Sequence, residues 1–350
     1  MSISNQHKVI IVGSGEVSTN HIRGYHKSGF AQIIAICDKN RILAEQASRK
    51  WRIPHYYTDL SEALKTEEMP DVVDICTPTS THKAIALTAL EHGCHVLVEK
   101  PFTTTLKDAE EILALAKRKG RKACVAHTHK MNGLVTMGKK MVEDGAIGEI
   151  RNMYLTCLEP KETPMIADPN HWVHKAPGGR WEETMPHYCY LPYTFVGPLH
   201  LESVLKKKLP GGYPWLSADE VVVNLSSDKH IVTLHFSANF SRTDHSIYLY
   251  GTEGMMRIAL GDQTIELHKR RNPVMKRIFG VAALDSSDTL IRSLTRHASV
   301  FFKVRFNRRY SNHDLLIKAF LDSLDGGSDV VSDEEALYVV RMTEEISNRI

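Results

Sequence analysis

A glycine-rich turn near the start of the chain could bind the phosphates of a dinucleotide. The apolar run Val9–Val12 is followed by G-x-G-x-x-S at residues 13–18. The first glycine allows a tight turn, and the second lets a pyrophosphate approach the backbone. The serine at 18 is a small substitute for the usual third glycine. A helix-like pattern follows, and its free N–H groups would face the phosphates.

An acidic residue completes this pattern at the end of the next apolar run. Asp38 lies 23 positions after Gly15, and its carboxylate can accept hydrogen bonds from an adenosine ribose. The combination predicts NAD binding, because a 2′-phosphate would meet the negative charge of Asp38. NADP stays an alternative, since Lys39 and Arg41 follow directly.

Residues 1–125 alternate short apolar runs with helix-like stretches, which predicts a doubly wound α/β domain with a parallel sheet. Apolar runs of four or five residues are typical of strands that are buried on both faces. The runs are Val9–Val12, Ile33–Cys37, Val72–Cys76, Val96–Val98 and Cys124–Ala126, and the helix-like stretches include Arg41–Trp51, His82–His92 and Leu106–Lys119.

Residues 126–350 are predicted to form an α+β domain around a largely antiparallel, open sheet. In the stretch 232–237, apolar and polar residues alternate with the period of a sheet that is covered on one face. Residues 312–349 are helical in pattern, and Ser332-Asp333-Glu334-Glu335 has the form of a capping box.

Composition excludes several classes of protein. With 350 residues, 42% of them hydrophobic and 24% charged, the chain is sized for two globular domains rather than for a disordered or fibrous protein. Its apolar runs are far shorter than the ~18 residues of a membrane span, and its polar start lacks a signal peptide, so we expect a cytoplasmic protein. The six cysteines form no C-x-x-C pair and are expected to be buried, reduced thiols.

The net charge of +3 conceals one strongly basic segment. Residues 269–309 carry eleven basic and two acidic side chains, a formal charge of +9, which leaves −6 for the rest. Because the segment is also rich in apolar residues, it predicts an oligomer or lid contact, then an anionic substrate, then contact with a membrane surface. No nucleic-acid partner is expected, since the segment has no recognisable binding motif.

Four further motifs, in order, resemble the glucose–fructose oxidoreductase / inositol dehydrogenase family (Gfo/Idh/MocA). Residues 71–82 (DVVDICTPTSTH) are similar to its fourth-strand signature, and residues 92–101 (HGCHVLVEKP) contain its diagnostic E-K-P. Residues 145–150 (GAIGEI) resemble its domain junction, and residues 251–254 (GTEG) resemble its G-T-x-G turn. The resemblance implies a Rossmann domain followed by an open-sheet domain, which commonly forms the interface of a homodimer or homotetramer.

The resemblance also implies which residues do the chemistry. Hydride transfer at an alcohol or ketone needs a group that takes or gives the hydroxyl proton, and Lys100 of E-K-P is the first candidate. His187 aligns with the family's catalytic histidine, while Glu183 stands where the family has aspartate. If the segment is helical, Glu183 and His187 share a face, although Pro186 argues against a regular helix. Cofactor contacts are expected from Gly13, Ser14, Gly15, Glu16, Val17, Asp38, Lys39, Cys76, Thr77, Pro78, His82, Glu99 and Lys100.

Histidines cluster around these motifs and are expected to bind a carbohydrate-like substrate. The predicted substrate-binding residues are His127, His129, His171, Trp172, His174 and Arg180. A metal site is not expected, because the H-x-H and H-x-x-H pairs lack a matching Cys or Asp framework. The chain is therefore predicted to be an NAD(P)-dependent oxidoreductase acting on a sugar, cyclitol or sugar derivative. The alternatives are an NAD-dependent glycoside-cleaving enzyme and a non-catalytic dinucleotide-binding regulator, and retention of Lys100 and His187 argues against the regulator.

Overall fold

The computed structural model describes residues 6–66, 69–175, 178–269 and 310–350. Within these ranges the chain forms two compact units, one of residues 6–131 and 310–344 and one of residues 132–269 and 345–350. The basic stretch 270–309 lies outside the described residues, so the roles predicted for it stay predictions.

The first unit is built on a six-stranded parallel sheet. Its strands are β1 (His7–Val12), β2 (Ala31–Cys37), β3 (His55–Tyr57), β4 (Val72–Ile75), β5 (His95–Val98) and β6 (Ala123–Val125). They are arranged in the order β3-β2-β1-β4-β5-β6, and every pair is parallel. The order reverses between β1 and β4, and ligands of doubly wound sheets bind beyond the carboxyl ends of the strands at such a point. The predicted Rossmann fold is confirmed.

Helices connect these strands. They are α1 (Glu16–Ser28), α2 (Arg41–Trp51), α3 (Leu60–Thr66), α4 (His82–Glu91) and α5 (Leu106–Lys119). Asn40 caps α2 and Thr105 caps α5, each by accepting a backbone N–H of the first turn. The apolar strands are buried between the helices, as their composition predicted.

The second unit contains a seven-stranded sheet that is open and almost entirely antiparallel, as expected. Its strands are β7 (Ile150–Leu158), β8 (His200–Lys207), β9 (Glu220–Ser226), β10 (Ile231–Ser237), β11 (Asp244–Gly251), β12 (Gly254–Ala259) and β13 (Thr264–Lys269). Its helices are α6 (Gly133–Glu143), α7 (Pro164–Ala167) and α8 (Arg180–Val196). The strand order is β13-β12-β11-β7-β10-β9-β8, and β7 and β10 are its one parallel pair.

One face of this second sheet is apolar and buried. Val232, Leu234 and Phe236 are fully buried on β10, and Phe236 packs against the rings of Trp181 and Tyr188 from α8. The alternating Thr233 and His235 are only half-buried. Ser237 departs from the alternation because its buried hydroxyl donates to Glu220 Oε1 at 2.6 Å.

The C-terminal helices differ from the prediction. The sequence placed residues 312–349 in the second domain, whereas residues 312–344 of α9 (Asn312–Leu324) and α10 (Asp333–Ser347) belong to the first unit. Helix α9 lies against α1, where a Cβ on Gly24 would come within 2.5 Å of Ile317 Cδ1. The absence of a side chain at Gly24 therefore allows the close approach, and Lys27 Nζ binds Asp314 Oδ2 across it at 2.7 Å.

Candidate active site

The glycine turn has the geometry of a phosphate-binding loop. Gly13 has φ +98°, and a Cβ there would lie 2.5 Å from the carbonyl oxygen of Cys76, so only glycine fits. At Gly15, no atom of the described residues other than its neighbours in the chain lies within 4 Å of an added Cβ, so the backbone there can be approached. Gly15 is also the N-cap of α1, and no side-chain hydrogen bond covers the helix N-terminus. The turn therefore fits a pyrophosphate.

Asp38 is held in place beside this turn. Its Oδ2 accepts hydrogen bonds from the backbone N–H of Ser14 at 2.9 Å and from the Ser14 hydroxyl at 2.6 Å. Its Oδ1 accepts the N–H of Asn40 at 2.8 Å. The carboxylate is thus fixed at the carboxyl end of β2 and half-buried, with acceptor capacity left for a ribose hydroxyl.

We expect the protein to bind NADH at least about fivefold more tightly than NADPH. The reason is the repulsion between Asp38 and a 2′-phosphate, about 1–4 kcal/mol for unit charges 4 Å apart, where 1.4 kcal/mol is tenfold. Titration calorimetry with both cofactors measures the ratio, and Asp38→Ala should reduce it. Asp262→Ala, which alters an exposed carboxylate of the second unit, should leave it unchanged. Tighter binding of NADPH by the unaltered protein would contradict the role of Asp38.

The E-K-P segment follows β5 and is tied to the loop after β4 by His82. His82 Nε2 lies 2.8 Å from the carbonyl oxygen of Thr77, and its Nδ1 lies 2.9 Å from that of Pro101. The ring is buried, and this burial lowers the pKa of His82, while the hydrogen bonds to the backbone carbonyl groups act in the opposite direction. The Lys100–Pro101 peptide is cis. His82 was predicted to contact cofactor, and the structure shows it joining the two loops that carry other predicted cofactor residues.

Glu99 belongs to a buried polar cluster that was not predicted from the sequence. Glu99 Oε1 lies 2.8 Å from Nε2 of His21, while Nδ1 of His21 lies 2.8 Å from Asp74 Oδ2. His313 Nε2 lies 3.6 Å from the same Glu99 oxygen. One signal was available: Asp74 is a charged residue within the otherwise apolar strand Val72–Ile75, where an ionised group needs a partner.

In the second unit, α8 carries three predicted site residues on a continuous helix. The helix runs through Pro186, so the expected irregularity is absent and Glu183 and His187 lie one turn apart. His187 Nδ1 is 2.6 Å from the hydroxyl oxygen of Tyr190. Because Tyr190 is fully buried, the position of its hydroxyl group is fixed, and this contact orients the half-buried imidazole of His187.

Arg180, predicted to bind substrate, lies in a buried ion pair. It is 4% exposed, and its Nη2 donates to Glu159 Oε2 at 2.8 Å. Its Nη1 lies 3.6 Å from Glu183 Oε2 and also donates to the Thr184 hydroxyl. Burial alone would raise the pKa of Glu159, but the hydrogen bond from His245 and the charge of Arg180 lower it. Glu159 is therefore ionised, and Arg180 neutralises it.

The other predicted substrate residues are spread over both units. His127 is buried in the first unit, with Nδ1 2.9 Å from Glu335 Oε1, and His129 is half-buried nearby in the chain. In the second unit, Trp172 and His174 belong to the 3₁₀ turn Trp172–Lys175, which follows His171. His174 Nε2 lies 3.1 Å from the carbonyl oxygen of Asp168.

The contact between His127 and Glu335 also alters the predicted capping box. Ser332 Oγ accepts the N–H of Glu335 at 3.1 Å, as a cap should. The Glu335 carboxylate binds the side chains of His127 and Lys130 in the first unit rather than the backbone N–H of Ser332, which a capping box would require. A complete capping box occurs at Ser311 and Asp314, where α9 begins.

Three groups of side chains in the described residues have the composition of a metal site. They are His21–Asp74–Cys76, His21–Glu99–His313 and Cys157–Glu159–His245. Burial raises the pKa of Cys76 and of Cys157 to about 12, so without a bound metal both are protonated thiols at neutral pH. The absence of a metal stays a prediction, whereas the prediction of buried reduced cysteines is confirmed for all six.

Comparison with known proteins connects this geometry with an enzyme family. Residues 7–127 match the profile described as the oxidoreductase family with an NAD-binding Rossmann fold, GFO_IDH_MocA. Residues 7–127 therefore form a Rossmann domain of the Gfo/Idh/MocA oxidoreductase family. The relatives that match the chain are named oxidoreductases or dehydrogenases, and the chain is an NAD-binding oxidoreductase. No helix among the described residues has both the length and the apolar character that a membrane span requires.

Individual members extend the match beyond the first unit. The uncharacterized oxidoreductase YdgJ of Escherichia coli K12 is 28% identical over 279 residues, which is 78% of this chain and 77% of YdgJ. D-glucoside 3-dehydrogenase of the same organism is 30% identical over 144 residues, 41% of each chain. The WlbA dehydrogenase of Bordetella pertussis, solved with NADH and UDP-GlcNAcA, shares the fold with a TM-score of 0.78 at 19% identity, covering 99% of this chain and 96% of that one.

Proposed function

We propose that this protein transfers hydride between nicotinamide and a hydroxyl or keto carbon of a sugar, cyclitol or sugar derivative. The observation that carries the proposal is the placement of Glu99-Lys100-Pro101 at the carboxyl end of β5, in the same unit as the glycine turn and Asp38. NAD, when bound, supplies the hydride acceptor, or the donor in its reduced form. Residues of the protein must then bind the substrate oxygen and move its proton.

Lys100 and His187 are proposed for these two roles. A lysine ammonium donates hydrogen bonds to a substrate oxygen and polarises it. The imidazole of His187 can take or return the hydroxyl proton, and Tyr190 holds that ring through its hydroxyl group. Glu183 is proposed as the neighbouring carboxylate that favours one tautomer.

The carbohydrate class is supported by two relatives. One is named a D-glucoside 3-dehydrogenase, and the other was solved with a nucleotide sugar acid. The half-buried His171 and His174 are proposed to provide hydrogen-bonding groups for such a polyhydroxylated substrate. A homodimer or homotetramer is proposed for the assembly, in keeping with the open sheet of the second unit.

The deciding experiment incubates the purified full chain with NAD⁺ and a panel of free sugars, glycosides, nucleotide sugars and inositols. Absorbance at 340 nm measures NADH formation, and mass spectrometry measures loss of two hydrogens from the substrate. Stoichiometric NADH and ketone would support the dehydrogenase. Cleavage of a glycoside without net change in NAD would support the alternative glycoside-cleaving enzyme. Cofactor binding with every compound inert would favour the non-catalytic regulator.

A further inference from the structure

The cluster around His21 is the most completely buried set of charged groups among the described residues. His21 and Asp74 are 0% exposed and Glu99 is 5% exposed. The three come from α1, β4 and the segment after β5 of the first unit, so they are adjacent only in the folded chain. An uncompensated charge at this depth would be strongly destabilising, so the stability of the cluster depends on how many protons its groups carry and where these protons lie.

The geometry requires two protons on the three groups. Each ring nitrogen of His21 lies 2.8 Å from a carboxylate oxygen, a hydrogen-bond distance on both sides. A neutral imidazole has one nitrogen without hydrogen, and its lone pair would face a carboxylate lone pair. An imidazolium donates on both sides and neutralises one of the two carboxylates.

The charge of Asp74 favours the imidazolium. The other titratable groups near His21 are Cys76 and His313, which face it, and Tyr25, which lies on the same helix. Burial alone would lower the pKa of His21, but the charge of Asp74 acts in the opposite direction and the pKa lies well above its usual value. Burial would likewise raise the pKa of Glu99, yet the hydrogen bond from His21 and the proximity of His313 lower it.

The cluster continues into the E-K-P segment. The second oxygen of Glu99, Oε2, accepts the backbone N–H of Lys100 at 3.0 Å. The chain of contacts therefore runs from Asp74 through the His21 ring and the Glu99 carboxylate to the backbone of Lys100. Because this hydrogen bond holds the Lys100 backbone, a rotation of the Glu99 carboxylate would shift that backbone and with it the Lys100 side chain.

We propose that His21 is a positioning residue, a buried imidazolium clamped between Asp74 and Glu99 that fixes the Glu99 carboxylate and, through it, Lys100. The inference rests on the proposed function of Lys100. His21 acts through other groups and is not itself a catalytic residue.

The protonation of His21 is tested by NMR on the full chain labelled with ¹⁵N-histidine. A histidine near its usual pKa of about 6.5 is neutral at pH 8, whereas His21 should keep both ring N–H groups, protected from solvent exchange. Because its pKa is raised on folding, the stabilisation it provides is complete below pH 6.5 and is lost only as pH rises through the folded-state value. A buried His21 ring with the ¹⁵N shifts of a neutral tautomer at pH 8 would overturn the proposal.

His21→Gln tests the positioning role, with His26→Gln as the matched control on the exposed side of the same helix. We expect His21→Gln to lower kcat about 100-fold, the effect of misplacing a reacting group by about 1 Å, with NADH affinity and substrate KM nearly unchanged. The dependence of kcat on pH should gain an ionisation below pH 7, because Glu99 loses its cationic partner. Wild-type kcat and an unaltered pH profile in His21→Gln would contradict the role.

A second variant keeps the test valid if His21→Gln folds poorly. In His21→Gln/Asp74→Asn, the asparagine amide can donate to the glutamine carbonyl, the glutamine amide can donate to Glu99, and the cluster keeps its net charge of −1. This variant should recover folding and part of the lost kcat, and a kcat no higher than that of His21→Gln would argue against positioning through Glu99. If wild-type protein turns over no panel compound, the proposed function fails, while the NMR result still decides the state of His21.

Discussion

Replacing Lys100 with methionine should lower kcat about 10²–10⁴-fold, the usual contribution of a positioned acid or base. Methionine preserves most of the apolar length of the side chain but removes the ammonium, which is proposed to hydrogen bond the substrate oxygen. NADH affinity should fall far less than kcat, because Lys100 is only one of the expected cofactor contacts and the glycine turn and Asp38 lie on other segments of the first unit. Stopped-flow measurement of NADH formation and fluorescence titration with NADH provide the two readouts.

Two controls accompany this variant. Lys65→Met makes the same change on the exposed face of α3 and should leave kcat within about twofold, as surface changes away from such features have small effects. Lys100→Arg keeps the positive charge but alters its geometry, so it should retain more activity than Lys100→Met without reaching the wild-type value. A Lys100→Met protein with unchanged kcat would remove Lys100 from the mechanism.

Replacing Arg180 with methionine should lower the free energy of unfolding by about 3–5 kcal/mol, the cost of removing one partner of a buried ion pair. Glu159 would remain buried and ionised without its guanidinium, and Thr184 would lose a hydrogen bond from Nη1. Urea unfolding can be followed by the fluorescence of Trp181, which is fully buried and lies beneath the Arg180 guanidinium.

The matched control is Arg49→Met. Arg49 pairs with Glu45 one turn away on α2, but its side chain is 78% exposed, so the expected loss is below about 1 kcal/mol. The double variant Arg180→Met/Glu159→Leu should recover most of the stability, because replacing both partners of a buried pair by apolar residues is often neutral. If Arg180→Met is as stable as wild type and instead raises the substrate KM, Arg180 is a substrate ligand, as its position in the sequence motif predicted.

The interior strands of both sheets could be predicted because burial leaves a pattern in the sequence. Strands β1, β2, β4 and β5 are mainly apolar and rich in β-branched residues, as expected of strands whose two faces are both covered. Strand β10 alternates because only one of its faces is covered. These patterns depend on local composition, so they need no knowledge of the rest of the fold.

Two of the four edge strands were missed for the complementary reason. Strand β3, His55–Tyr57, and strand β8, His200–Lys207, lie at the ends of their sheets, and neither contains a fully buried residue. Edge strands are commonly short and polar, which limits pairing with other chains. They therefore lack the apolar signal by which the interior strands were recognised.

The residues of the candidate site likewise divide into those that could be recognised from the sequence and those that could not. Gly13 and Asp38 were recognisable because their roles depend on short spacings along the chain, and the E-K-P segment was recognisable by its resemblance to a family motif. The partners of Glu99, Arg180 and His127 were not, because the contacting residues are 78, 21 and 208 positions away in sequence. Burial of a charged group demands a partner, but the sequence alone does not say which one.

Local residue spacings thus predicted the Rossmann fold and the dinucleotide site, because a turn, a helix N-terminus and a strand with its loop depend on residues that are close in sequence. The ordered motifs added the resemblance to the Gfo/Idh/MocA family, and that resemblance implied the residues proposed to move a proton. In the folded chain, α9 and most of α10 return to the first unit, and His21 joins Asp74 to Glu99. Arg180 is likewise paired with Glu159. These contacts could not be predicted, because desolvated charges are paired by the packing of distant elements, and no periodicity along the chain records that packing.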